Sequence, residues 1–177
     1  MAERGEAPIH IVPYDPSWPA QFERERALLA DGLGAWIVAP IEHVGSTAVP
    51  SLAAKPVIDI MAPVQSLAAS RDALSACASL GYLYAPYRSD VMHWFCKPSA
   101  ALRTHHLHLV PLGSPMWTEK LVFRDYLRRN PAVAAEYAEL KQRLARLYEF
   151  DREAYTDAKG PFIQRVVEAA LATRSRA

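Results

Sequence analysis

The chain has 177 residues, 51% of them hydrophobic and 22% charged, enough for one globular unit with a real core and too apolar for a disordered segment. A net charge of +1 gives no broad field to draw nucleic acid or an anionic membrane, and no apolar run approaches the ~20 residues that cross a bilayer. The opening MAERGEAPIH has no apolar signal-peptide core, and Cys77 and Cys96 offer neither a metal cluster nor a disulfide framework, so a reducing cytoplasm is the simplest setting.

In chain order, IHIVPY (9–14) reads as a short strand broken by Pro13. DPSWPAQFERERALLADGLG then reads as a helix. Phe22, Leu28, Leu29 and Leu33 recur at helical spacing, Asp15 or Ser17 stands at the cap, and Gly32 and Gly34 mark the end. AWIVAPIEHV is a strand with a kink at Pro40, residues 45–55 form a loop of small side chains, and PVIDIMAPV is a second strand. SLAASRDALSACASLG is a helix ending at Gly81. Three strand-like pieces follow, YLYAPY, DVMHWFCK (90–97) and RTHHLHLVP (103–111), the last two joined as a hairpin.

From Trp117 onward the pattern is helical. WTEKLVFRDYLRR precedes NPAVAAEYAELKQRLARLYEF, where Asn130 is placed to cap and Pro131 takes the first helical position. DREAYTDAK stops at Gly160, and Pro161 opens PFIQRVVEAALATR. No repeat or linker divides these parts. The expectation is one α+β domain over 1–177: a mixed sheet in about 9–111 and a helical part in about 116–174.

Three stretches carry chemistry. Gly45-Ser46 closes a strand where backbone amides and a hydroxyl can hold an anion, although a plain turn is the commoner use of that pair. Asp59 interrupts the apolar run PVIDIM, and strand alternation sets it with Val57 and Met61, opposite Ile58 and Ile60. A carboxylate there needs a partner: a hard cation, an ion pair with Lys55, or loop amides. In HHLHLV, alternation puts His106 and His108 on one face and His105 with Leu107 and Leu109 on the other. Two such imidazoles bind metal, bind phosphate or carry protons, or else are solvated surface groups; His93 joins them only in one strand register. Zinc is the less attractive ion, because no cysteine completes a set.

Arg124 and Lys159 are further cations of the right kind for a phosphate, though surface pairing and helix capping are their commoner roles. Trp18, Trp36, Trp94 and Trp117 read as core and rim packing. Neither GxxxxGK[ST] nor GxSxG occurs, which excludes a P-loop kinase and a serine-hydrolase elbow.

Taken together, IEHVGSTAVPSLAAKPVIDI, HHLHLV, FRDYLRRNP, YAELK and YTDAKGPFI resemble the GrpB family, as does the opening VPYDPSWPAQFERE. The resemblance runs from about residue 9 to 165 and implies a nucleotidyltransferase-type mixed sheet flanked by helices. That superfamily's signature is a strand ending in Gly-Ser or Gly-Gly, then a strand carrying acid, apolar residue, acid. Gly45 and Ser46 match the first part and Asp59 the first acid, but Met61 stands at the second. The resemblance at Gly45 and Ser46, joined to the residue reading of the nearby cations, gives the expectation of a nucleotide or other phosphorylated ligand held by Gly45, Ser46, Thr47, Lys55, Arg124 and Lys159. It implies a divalent Mg²⁺ or Mn²⁺ at Asp59 with His108 or Glu42, and Asp59, His106 and His108 as the catalytic set. A thioether is a poor ligand for Mg²⁺, so Met61 argues against ordinary two-ion transfer and leaves catalysis open. Relatives of this domain occur fused behind dephospho-coenzyme A kinase. The alternative is accordingly a non-catalytic module that assists such a coenzyme A biosynthetic enzyme.

Overall fold

A computed structural model describes residues 7–174; residues 1–6, most of the opening MAERGEAPIH, lie outside the described residues. Helix α1 spans Trp18–Leu33, β1 Glu42–Val44, β2 Ile58–Val64, α2 Ala73–Ser79, β3 Leu83–Ala85, β4 His93–Pro98 and β5 Arg103–Pro111. The helical third holds α3 (Pro115–Arg129), α4 (Pro131–Leu147), α5 (Arg152–Ala158) and α6 (Gly160–Arg174).

The five strands form one mixed sheet in the order β1-β2-β5-β4-β3. β1 runs antiparallel to β2, β2 parallel to β5, and β5 antiparallel to β4 and β4 to β3. The α+β architecture with a mixed sheet flanked by helices is the one the sequence pattern indicates.

Alternation divides the sheet into two buried faces. Ile58, Ile60, Ala62 and Val64 of β2, with Phe95, Leu107 and Leu109, pack under Trp18, Phe22, Leu29 and Leu33 of α1 and Ala73 and Cys77 of α2. The opposite face presents Val44, Met61, Trp94, Cys96 and Val110 to Met116, Trp117 and Leu121 of α3. The loop after β1 is anchored in the helical third, where Val49 and Leu52 pack with Leu127, Tyr137, Phe162 and Val166. Burying these apolar faces is what holds strands and helices together, at roughly 25 cal/mol per Å² of apolar surface removed from water.

Several elements are shorter than the pattern indicates, for identifiable reasons. Residues 9–14 make no strand, only an isolated bridge from Val12 to Ala54, because Pro13 has no N–H to extend a ladder. The run 35–44 pairs only over Glu42–Val44, with a separate bridge from Ile37 to Val64; Pro40 interrupts it. Of the expected second helix only Ala73–Ser79 is α-helical, and Ser70 turns back to the Ser66 carbonyl before it. Asn130 does not cap α4 with its side chain. Its amide nitrogen instead donates to the Tyr126 carbonyl at 2.8 Å, closing α3. Ser114 caps α3 two residues before Met116, accepting from the Trp117 N–H, so that helix opens earlier than Trp117.

His93 pairs with Leu109 and therefore lies on the α1 face, donating to or accepting at the Leu67 carbonyl, 3.0 Å away. Among the described residues, no helix is long and apolar enough to cross a membrane.

Candidate functional site

The parallel pairing of β2 with β5 sets Asp59 beside His106 and Met61 beside His108. Side chains of paired residues share a face, so Asp59, His106 and His108 all emerge toward α3. Asp59 Oδ1 lies 2.9 Å from His106 Nδ1 and 3.6 Å from His108 Nε2. One ligand atom from each of the three lies within 4.8 Å of the others. The Asp59 side chain keeps 28% of its surface accessible, against 14% for His106 and 7% for His108, so the carboxylate is the most accessible of the three.

The imidazoles are held from behind. His108 Nδ1 meets the Met92 sulfur at 3.3 Å, and the Trp94 ring sits 5.1 Å from the His106 ring. His106 Nε2 and His108 Nε2 are buried without a hydrogen-bond partner. Buried nitrogens without partners are uncommon in folded proteins. Burial, aided by the Lys120 charge, holds His108 down at about 4 against the pull of Asp59, so it is neutral at pH 7 with a lone pair to offer. Burial pushes the Asp59 carboxyl up, but the His106 hydrogen bond and the nearby His108 ring outweigh it and hold the group well below the usual carboxylate range. An ionised carboxylate and a neutral imidazole are the forms that bind metal.

Gly45 is built around this carboxylate. Its φ of +72° lies in the left-handed region, and a Cβ there would stand 2.5 Å from Asp59 Oδ2. After it comes one 3-10 turn, Ser46–Ala48. Ser46 meets the Tyr137 hydroxyl, whose ionisation burial pushes up.

Thr47 is turned inward, 1% exposed, donating to the Val57 carbonyl at 3.1 Å and lying 3.0 Å from His43 Nε2. Its hydroxyl fastens the turn to the residue before β2 and is buried there, which corrects its expected place at a phosphate.

The remaining expected residues divide. Lys55 and Lys159 both approach the Tyr155 ring, with Nζ at 5.5 and 4.2 Å from its centroid. Burial brings the Lys159 ammonium down to about 7, the charge of Lys55 adding to the effect while Asp59 opposes it. Glu42 and Arg124 are drawn together instead. Arg124 Nη1 lies 2.6 Å from Glu42 Oε2 and 3.0 Å from the His43 carbonyl, and its Nε lies 2.8 Å from Asp125 Oδ1. Glu42 is not part of the Asp59–His106–His108 group, and Arg124 is committed to Glu42, Asp125 and the His43 carbonyl; both serve to tie α3 to the edge strand β1.

One participant was not picked out from sequence. Lys120 of α3 lies within electrostatic reach of Asp59, His108 and Lys159. It stands one helical turn before Arg124, so four-residue spacing from a residue already singled out was the available clue.

A family model described as GrpB protein matches residues 8–169. A UPF0157 protein of Pseudomonas aeruginosa is 40% identical over 173 residues, covering 93% of this chain and 68% of that protein. A dephospho-CoA kinase of Mycolicibacterium paratuberculosis is 32% identical over 188 residues, covering 89% of this chain but 45% of the kinase. The crystal structure of conserved protein GrpB from Enterococcus faecalis superimposes with a TM-score of 0.83 at 32% identity, covering 93% of this chain and 99% of that one. The sequence motifs, the sheet that carries them and the length of these matches lead to one conclusion: the chain belongs to the GrpB family.

Proposed function

We propose that the protein binds one divalent cation through Asp59, His106 and His108, and holds a phosphate-bearing ligand such as a nucleotide beside it. The observation that carries this reading is the three-residue cluster with two buried imidazole nitrogens lacking partners. The donor set fits a cation: one carboxylate and two imidazoles leave coordination positions open on the accessible side. It favours Mn²⁺ or Zn²⁺ over Mg²⁺, whose preference is for oxygen ligands.

Residues of this chain supply the rest. Lys55 and Lys159, gathered at Tyr155, offer positive charge to phosphate oxygens, and the Gly45-Ser46 turn lets backbone approach them. His108 stays neutral and the Asp59 carboxylate ionised, so neither has to change protonation for the ligand to enter. A bound cation would offset charge on a phosphoryl oxygen, which makes nucleotidyl or phosphoryl transfer the chemistry this arrangement serves.

A second reading is supported by the kinase relative, which matches 89% of this chain with less than half of its own length. In it the same ligand site serves a module that assists a coenzyme A biosynthetic enzyme rather than a transferase.

The test is thermal unfolding with Mn²⁺, Zn²⁺ or Mg²⁺, each with and without nucleoside triphosphates and coenzyme A precursors. A ligand at about 100 times its Kd stabilises the native state by about 2.7 kcal/mol. The expected outcome is a rise in Tm that needs metal and disappears in Asp59→Asn. An unchanged rise in Asp59→Asn removes this site from the account. A metal-dependent rise with no turnover of any nucleotide favours the assisting module.

A further inference from the structure

Met61 stands two residues beyond Asp59 on the same face of β2, where a second acid would bring a second cation, and it is fully buried. The helix above it is ordered in a row. Met116, Lys120 and Arg124 recur every four residues along α3, so they lie on one side of the helix. Met116 packs in the same apolar cluster as Met61, and Arg124 reaches Glu42, the residue paired with Met61 across β1. Lys120 stands between them on the helix, within electrostatic reach of Asp59 and His108.

The other members of the row are satisfied and Lys120 is not. Among the described residues, no carboxylate lies within ion-pair distance of its ammonium and no hydrogen bond reaches it. It is half-buried, and the charges facing it are Asp59, Arg88 and its neighbour Glu119. Arg88 itself is held with a φ of +48° on the loop between β3 and β4, a left-handed conformation that non-glycine residues seldom adopt. Lys120 and Lys159 therefore both face the Asp59 carboxylate, a gathering of positive charge that an anionic ligand relieves.

We propose that Lys120 takes the place of the second divalent ion. The site holds a single metal, and the Lys120 ammonium contacts the phosphate oxygens of the ligand from the α3 side. A lysine presents a compact charge with three donors, suited to an oxygen that would otherwise bridge two ions. This rests on the single-cation reading of Asp59, His106 and His108 given above, and it accounts for Met61, which that reading leaves unused.

The experiment uses the full chain with Mn²⁺ and inorganic pyrophosphate as probes, and compares wild type, Lys120→Met and Lys120→Arg. Mn²⁺ bound per chain is counted by electron paramagnetic resonance, and pyrophosphate affinity is measured by calorimetry at saturating Mn²⁺. The inference expects one Mn²⁺ per chain in all three proteins, with Mn²⁺ affinity in Lys120→Met equal to or tighter than wild type. Pyrophosphate should bind Lys120→Met about tenfold to hundredfold more weakly, the worth of one charge-assisted hydrogen bond, and Lys120→Arg should recover most of the loss. A merely structural Lys120 would move metal and pyrophosphate affinity together. Two Mn²⁺ per wild-type chain overturns the inference. So does one Mn²⁺ with unaltered pyrophosphate affinity in Lys120→Met, which leaves the metal site standing. Absence of Mn²⁺ from the wild type sinks both.

Discussion

Two glycines show how much depends on a single missing Cβ. Gly45 and Gly81 both have left-handed φ, +72° and +82°, but a Cβ at Gly81 meets nothing within 4 Å while one at Gly45 runs into the Asp59 carboxylate. Alanine at either position carries the conformational cost, about 1–2 kcal/mol. Gly45→Ala must also displace the carboxylate from its place against His106. The expected outcome is a similar loss of stability by urea titration in both variants, or a larger one in Gly45→Ala, with Mn²⁺ affinity lost only there. Equal Mn²⁺ affinity in the two would mean that Gly45 serves the turn and not the site.

The candidate residues themselves were readable, because a carboxylate inside PVIDIM and alternating histidines in HHLHLV break apolar patterns at visible positions. Their mutual distance was not readable. It depends on a parallel register between strands forty-odd positions apart, Asp59 opposite His106, and no local preference fixes such a pairing. The antiparallel register of β4 on β5, His93 opposite Leu109, sends His93 to the other face of the sheet.

At the scale of the element, α3 does two jobs from one face. Met116 closes the apolar core while Lys120 and Arg124 deliver charge to the β1–β2 edge. The Arg124 side chain is 10% exposed and engages Glu42, Asp125 and the His43 carbonyl. Arg124→Ala leaves those acceptors with a lost partner, and a stability loss of about 1–3 kcal/mol by urea titration is expected. Glu42→Ala should cost less, since that carboxylate is 30% exposed, and should leave Mn²⁺ affinity close to wild type. Loss of Mn²⁺ binding in Glu42→Ala would return Glu42 to the ligand set.

Strand lengths show where pattern reading works and where it stops. RTHHLHLVP coincides with β5 because that strand is flanked by β2 and β4 and its alternation is enforced from both sides. AWIVAPIEHV contributes a three-residue strand and one isolated bridge, since it runs along the sheet's outer edge and Pro40 breaks the ladder.

Across the whole molecule, the site lies at the junction of its two structural parts. The sheet supplies Asp59, His106 and His108, while the helical third supplies Lys120, Tyr137, Tyr155 and Lys159. The loop between β1 and β2 links them, with Gly45 against Asp59, Ser46 at Tyr137, and Val49 and Leu52 in the helical core. Neither part alone would gather these groups. The helices were legible as helices from their caps and periodicity, yet nothing in those patterns indicated which of their polar residues turn toward the sheet.

The central claim is that Asp59, His106 and His108 hold one divalent cation, and anomalous scattering from crystals grown with Mn²⁺ tests it most directly. The account predicts a single strong peak about 2–2.3 Å from an Asp59 oxygen and from one nitrogen of each imidazole, absent in crystals of Asp59→Asn. A peak elsewhere, or none at this cluster at saturating Mn²⁺, would contradict it.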